Sequence, residues 1–200
     1  MISTITCDSA AAAKTDRQII QTSGAYAGVI RQAQLWDTKN GATMLGLNFM
    51  SEHGEEADIS FCIVKSDGSE SYGMGYLHSI MTCIGVKSAN PTKGRVRQRD
   101  GSIADGIRLR EIEKPIGLVI QLKEDEYDGK RYWRKELRRV FDPMSRKTAS
   151  EIVNNREPKI IDQLVKTIKD IPMQEQTYTA TRTTAEPAPA EPYPDDDLVF

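Results

Sequence analysis

Histidine and cysteine are scarce in this chain, at two and three residues among 200. Cys7, Cys62 and Cys83 are odd in number, far apart and without CxxC spacing, and His53 and His78 stand alone. No zinc site can be built from them at the usual ligand spacings. The cysteines read instead as reduced packing residues, as in an intracellular chain. Long apolar runs are missing as well, and none approaches the length of a membrane-crossing helix. Residues 1–13 lack the cationic start and apolar centre of a secretory signal, with Asp8 inside the stretch. The expected compartment is the cytoplasm, with no membrane association.

Catalytic signatures are equally absent. There is no GxSxG, no GxxxxGK[ST], no HExxH and no GxGxxG after a strand. Tyr72-Gly73-Met74-Gly75 is glycine-rich but lacks the later glycine and the lysine of a phosphate cradle. His78 reads as a helix-surface or packing residue. Glu55, Glu56 and Asp58 imitate part of a metal-dependent nuclease site, but a solvated hairpin loop accounts for them. The expectation is a binding protein without enzymatic activity, cofactor or metal.

Charge is what the chain has, and it is unevenly placed. Overall the formal net charge is −2. Residues 172–200 hold six carboxylates against Arg182 alone, a net of −5. The preceding 171 residues, with 26 Lys and Arg against 23 carboxylates, net +3. A mildly basic body thus carries an acidic tail. Three segments follow: a flexible N-terminus over 1–20, a folded domain over 21–171, and a disordered proline-rich linker and tail over 172–200.

Periodicity within the body predicts an all-β core with added helices. Residues 24–36, 42–50 and 57–65 alternate as strands, with Gly28 marking a bulge or sharp bend and an Asn40-Gly41 turn between the first two. Residues 75–87 switch to a helical stripe through Tyr76, Ile80 and Ile84. The stretch 88–106 has no stable period and reads as a long, basic, mobile loop carrying Lys93, Arg95, Arg97 and Arg99. Residues 116–123 and 131–141 form a hairpin about Asp128-Gly129. Thr148 and Glu151 have capping-box spacing, and a helix begins at Pro158, runs to about Asp170 and packs on the side of the sheet. Five strands with a helix between the third and fourth match an oligonucleotide-binding barrel, here with a C-terminal helical extension.

The affirmative functional signal is aromatic and basic interleaving. Lys130, Arg131, Arg134, Lys135, Arg138 and Arg139 surround Tyr132 and Trp133. Single strands present unstacked bases and a phosphate chain, so flat rings and cations in one groove suit them. Arg31, Trp36 and Lys39 continue this patch from the first strand, and Lys93 to Arg99 form another wall. Alternation leaves two readings of Trp133 open, as a base-stacking ring or as core. It also leaves open which face of 131–141 meets DNA, because Trp133, Leu137 and Phe141 share a face with Lys135 and Arg139.

The C-terminus ends Asp195-Asp196-Asp197-Leu198-Val199-Phe200 behind a Pro/Ala stretch at 186–191. An apolar end after three carboxylates suits a basic-rimmed pocket on another protein. This tip resembles that of bacterial and phage single-stranded DNA-binding proteins, and the body resembles the phage-encoded members in layout. It does not resemble the tetrameric bacterial type, whose tip usually has proline where Val199 stands. The resemblance implies a non-enzymatic protein of DNA replication, recombination or repair, in the host cytoplasm if phage-encoded. It would coat single-stranded DNA and recruit partner proteins through Asp195 to Phe200, with homo-oligomerisation left open. RNA binding on the same barrel, a protein-interaction adaptor and a metal-dependent nuclease are the competing readings.

Overall fold

The computed structural model describes residues 18–98 and 101–173. These residues are mostly β-sheet with three helices. β1 (Gly24–Asp37), β2 (Thr43–Ser51) and β3 (Glu56–Val64) form an antiparallel meander, followed by α1 (Tyr72–Cys83). A hairpin of β4 (Thr92–Arg97) and β5 (Ile103–Arg108) comes next, then a 3-10 turn at Arg110–Ile112. The long hairpin of β6 (Pro115–Tyr127) and β7 (Lys130–Phe141) precedes α2 (Ala149–Val153) and α3 (Ile160–Thr167).

The sheet runs β3-β2-β1-β5-β4, with β6 on the first half of β1 and β7 on β6. No ladder joins β3 to β7 among the described residues, so the sheet is open along that seam. β1 is the hub, pairing with β6 from Gly24 to Val29 and with β2 from Gly28 to Asp37. Two partners therefore meet at Gly28. A Cβ there would stand 2.1 Å from the Met50 carbonyl oxygen and 2.7 Å from the Phe49 ring, so glycine is required. The bulge expected at this glycine lies three residues on, where Arg31 is the extra residue between Ile30 and Gln32. It exchanges the faces of β1. Ile30 points into the core before it, Ala33 and Leu35 after it, and Gln32, Gln34 and Trp36 are left outside.

The main core gathers Ile30, Leu45, Phe49, Ile80, Ile116 and Leu118, each fully buried. Burial of such side chains stabilises by roughly 1.5–3 kcal/mol each. α1 seals one end through Leu77 and Ile80, approaching so closely that a Cβ on Gly73 would meet the Cys62 carbonyl oxygen at 2.1 Å. A second, smaller cluster of Val119, Phe141 and Ile161 seats α3 on the other face of the sheet.

Four sequence expectations change. The segment 88–106 is not a loop throughout but holds most of the β4–β5 hairpin. Its period is hidden because Gly94 and Gly106 face each other across the ladder and Val96 is the one buried side chain on β4. The sheet accordingly has seven strands rather than five. α1 starts at Tyr72 and ends at Cys83, ahead of the expected 75–87. The C-terminal helix is shorter than expected. After α3 the chain extends, and Ile171 donates its N–H to Leu122 and accepts that of Glu124, both at 2.8 Å, as a bridge on β6. At the other end, Ile20 is buried and its N–H reaches the Glu56 carbonyl at 3.0 Å. The expected flexible segment before residue 18 and the tail after 173 lie outside the described residues. No helix among the described residues is long and apolar enough to cross a membrane.

Candidate nucleic-acid interface

The registers of β1, β2 and β3 lay out a grid of outward side chains. Trp36 stands opposite Met44 and Met44 opposite Cys62. Gln34, Gly46 and Ser60 form the next row, and Gln32, Asn48 and Asp58 the third. At Gly46 the Trp36 ring takes the space of a side chain, since an added Cβ would lie 2.6 Å from its Cζ3. The indole is 37% exposed at the rim of an open groove of about 1000 Å³.

The β4–β5 hairpin forms the wall of this groove. Gln32 accepts the Arg97 N–H at 2.8 Å and donates to the Arg97 carbonyl at 3.1 Å, clamping the end of β4 to β1. Arg108 is held by Glu113 through Nε at 2.9 Å and Nη2 at 2.6 Å, and its Nη1 reaches the Arg95 carbonyl at 3.0 Å. Glu113 also accepts the Ala33 N–H at 3.1 Å, so one carboxylate locks β1, β5 and β4 together. Arg97 and Arg31 line the groove, the latter paired with Glu56 at 3.1 Å.

A second groove of about 710 Å³ opens at the seam between β3 and β7, under the first turn of α1. Tyr72 is 76% exposed there, and Tyr132 and Trp133 are each 44% exposed. Tyr76 packs edge-on against Phe61 and Tyr72, with ring centroids 5.5 and 5.2 Å away. Burial, then the hydrogen bond with Tyr72, pushes the Tyr76 phenol pKa upward, so it stays protonated at neutral pH. Arg134, Lys135 and Arg138 supply the charge. Arg134 is largely compensated within its own hairpin, by Asp125 at 3.2 Å and by Glu136.

Trp133 is therefore not core. Arg138 is an extra residue in β7, a bulge that breaks the face expected for Trp133, Leu137 and Phe141. Leu137 and Val140 turn into the main core while Phe141 joins the cluster under α3. The two grooves meet over β3, where Asp58, Ile59 and Ser60 line both.

Of the expected site residues, Arg31, Trp36 and Arg97 come together in the first groove. Tyr132, Trp133, Arg134, Lys135 and Arg138 come together in the second. Lys39 sits on the β1–β2 turn, Lys93 and Arg95 are exposed along β4, and Lys130 and Arg131 start β7; none of these lines either groove. Arg139 also lies outside them, donating to the Arg138 carbonyl at 3.0 Å. Arg99 and the tip from Asp195 to Phe200 fall outside the described residues. Sequence reasoning missed Tyr72, Gln34, Asn48 and Arg108. Tyr72 had a signal, since it precedes Tyr76 by one helical turn.

The acidic trio does not converge. Glu56 is buried against Arg31, whereas Asp58 faces the groove and accepts from Asn48 Nδ2 at 2.8 Å. Burial, with Asp142 nearby, pushes the Cys83 thiol up to about 12, so it is protonated at neutral pH. No protein-family model matches the chain, and no curated protein matches it in sequence. Function has to be argued from the site itself.

Proposed function

We propose that this protein binds single-stranded DNA, coating and protecting exposed strands in phage DNA replication, recombination or repair, without catalysing a reaction. The observation that carries the reading is one continuous open path over β3 with an exposed indole at each end, Trp36 and Trp133. Each base stacked on such a ring contributes about 1–3 kcal/mol, and stacking tolerates any sequence. A duplex keeps its bases stacked on one another and cannot use these rings. Arg31 and Arg97 at one end and Lys135 and Arg138 at the other suit a phosphate chain running along the path.

In this reading β1, β2, β3, β6 and β7 are the five strands of an oligonucleotide-binding barrel, and the β4–β5 hairpin is an insertion after α1. The order β3-β2-β1-β6-β7, with α1 between β3 and the following barrel strand, supports it. The acidic tip from Asp195 to Phe200 serves recruitment: its carboxylates and terminal ring fit a basic-rimmed apolar pocket on a replication or recombination protein.

Fluorescence anisotropy of the full chain with a labelled mixed-sequence single strand, the matching duplex and the matching RNA tests the proposal. The expected result is single-stranded DNA bound far more tightly than duplex, with affinity falling steeply as salt rises. Equal or tighter duplex binding, or none to any probe, would refute it. RNA binding equal to DNA binding would transfer the site to RNA.

A further inference from the structure

We infer that the first groove holds a nucleobase slot that favours cytosine over thymine; the inference rests on the single-strand reading above. Trp36 offers a stacking face beside the bare Gly46–Ser60 row, the one part of the grid without a large side chain. A base lying there turns an edge toward the neighbouring row of Gln32, Asn48 and Asp58. Gln32 is committed to the Arg97 backbone. Asn48 donates its Nδ2 to Asp58 at 2.8 Å, which fixes the amide and presents Oδ1 to the groove. The Asp58 carboxylate offers about four lone-pair directions, more than Asn48 alone occupies. This edge of the slot is therefore rich in acceptors.

Such a rail matches a base that leads with a donor. Cytosine presents its N4 amino group, the natural partner of an Asp or Glu carboxylate. Thymine and uracil present O4 in the same place, which sets acceptor against acceptor. Asp58 also repels phosphate, so the strand crosses this point with its bases toward β3 and its backbone toward Arg97 and Arg31. Sequence tolerance holds elsewhere on the path, where rings and cations do the binding.

The test uses the full chain and labelled oligo-dC, oligo-dT and oligo-dU of equal length, at one salt concentration and mildly alkaline pH, where cytosine strands stay unfolded. The uracil strand separates the effect of the thymine methyl. Oligo-dC is expected to bind about fivefold more tightly than either other strand, the worth of one net hydrogen bond. Asp58→Asn is expected to abolish that preference while oligo-dT binding is kept, and Asn48→Ala to reduce it. Thermal melting of both variants checks that the fold is intact. Equal or tighter binding of oligo-dT or oligo-dU by the unaltered protein would overturn the inference. So would a cytosine preference that survives in both variants. Those results leave single-strand binding standing, whereas failure to bind any of the three strands refutes the binding reading itself.

Discussion

Trp36→Ala and Trp133→Ala are each expected to weaken single-stranded DNA binding by roughly 5- to 150-fold, the equivalent of about 1–3 kcal/mol per stacked base. The double variant should lose more than either alone. Stability should change little by comparison, because both rings lie at groove rims and neither belongs to a hydrophobic cluster. A buried tryptophan would behave differently, costing about 3–5 kcal/mol of folding stability on truncation. Anisotropy titrations beside denaturant melts separate the two outcomes. Intact affinity in the double variant would mean that the strand does not stack on these residues, and the proposed path would fail with it.

Glu151→Ala is expected to destabilise the fold by about 3 kcal/mol at neutral pH. Glu151 is 2% exposed yet ionised, and its two oxygens collect four hydrogen bonds. Burial by itself would raise its pKa. The Lys159, Thr148 and Ile160 N–H groups and the Thr148 hydroxyl outweigh that and hold it at about 2, against 4.5 for an ordinary glutamate. A depression of that size corresponds to about 3 kcal/mol. The sign is that of a lowered carboxylate: the contribution is complete above pH 4.5 and is lost as pH falls toward 2. One side chain thereby joins the start of α2 to the start of α3 and keeps α3 on the cluster around Phe141. Thermal melting should show a drop of roughly 6–12 °C at neutral pH and a shallower loss of stability on acidification in the variant. An unchanged melting temperature would show that water replaces these bonds without cost.

The parts of the fold legible in the sequence are those where one face is buried and the other wet. The first three strands and the β6–β7 hairpin follow alternation, and the Thr148–Glu151 box is a local pattern with a local cause. The β4–β5 hairpin was not legible, because its alternation is broken by Gly94 and Gly106 and its anchors, Gln32 and Glu113, lie far away in sequence. Bulges at Arg31 and Arg138 were equally invisible, and each reverses which side chains face outward downstream. That reversal decides the site. It sends Trp36 outward beside Gly46, and it separates Trp133 from Phe141. The basic residues were legible as a population and not as contacts, since charge pairing depends on distant partners. Arg134 is occupied by Asp125 and Glu136, and Arg108, which sequence reasoning passed over, fastens the groove wall.

Trp36 and Trp133 are the only tryptophans in the chain, so intrinsic fluorescence reports on both ends of the proposed path and nothing else. The most direct test is to titrate the full protein with unlabelled single-stranded DNA while following that emission, with anisotropy confirming saturation. Stacking of bases on both indoles should quench the emission in a saturable way that added salt reverses. Trp36→Phe and Trp133→Phe should each retain part of the change. Emission that stays constant while the protein is saturated with DNA would contradict the path across the two grooves.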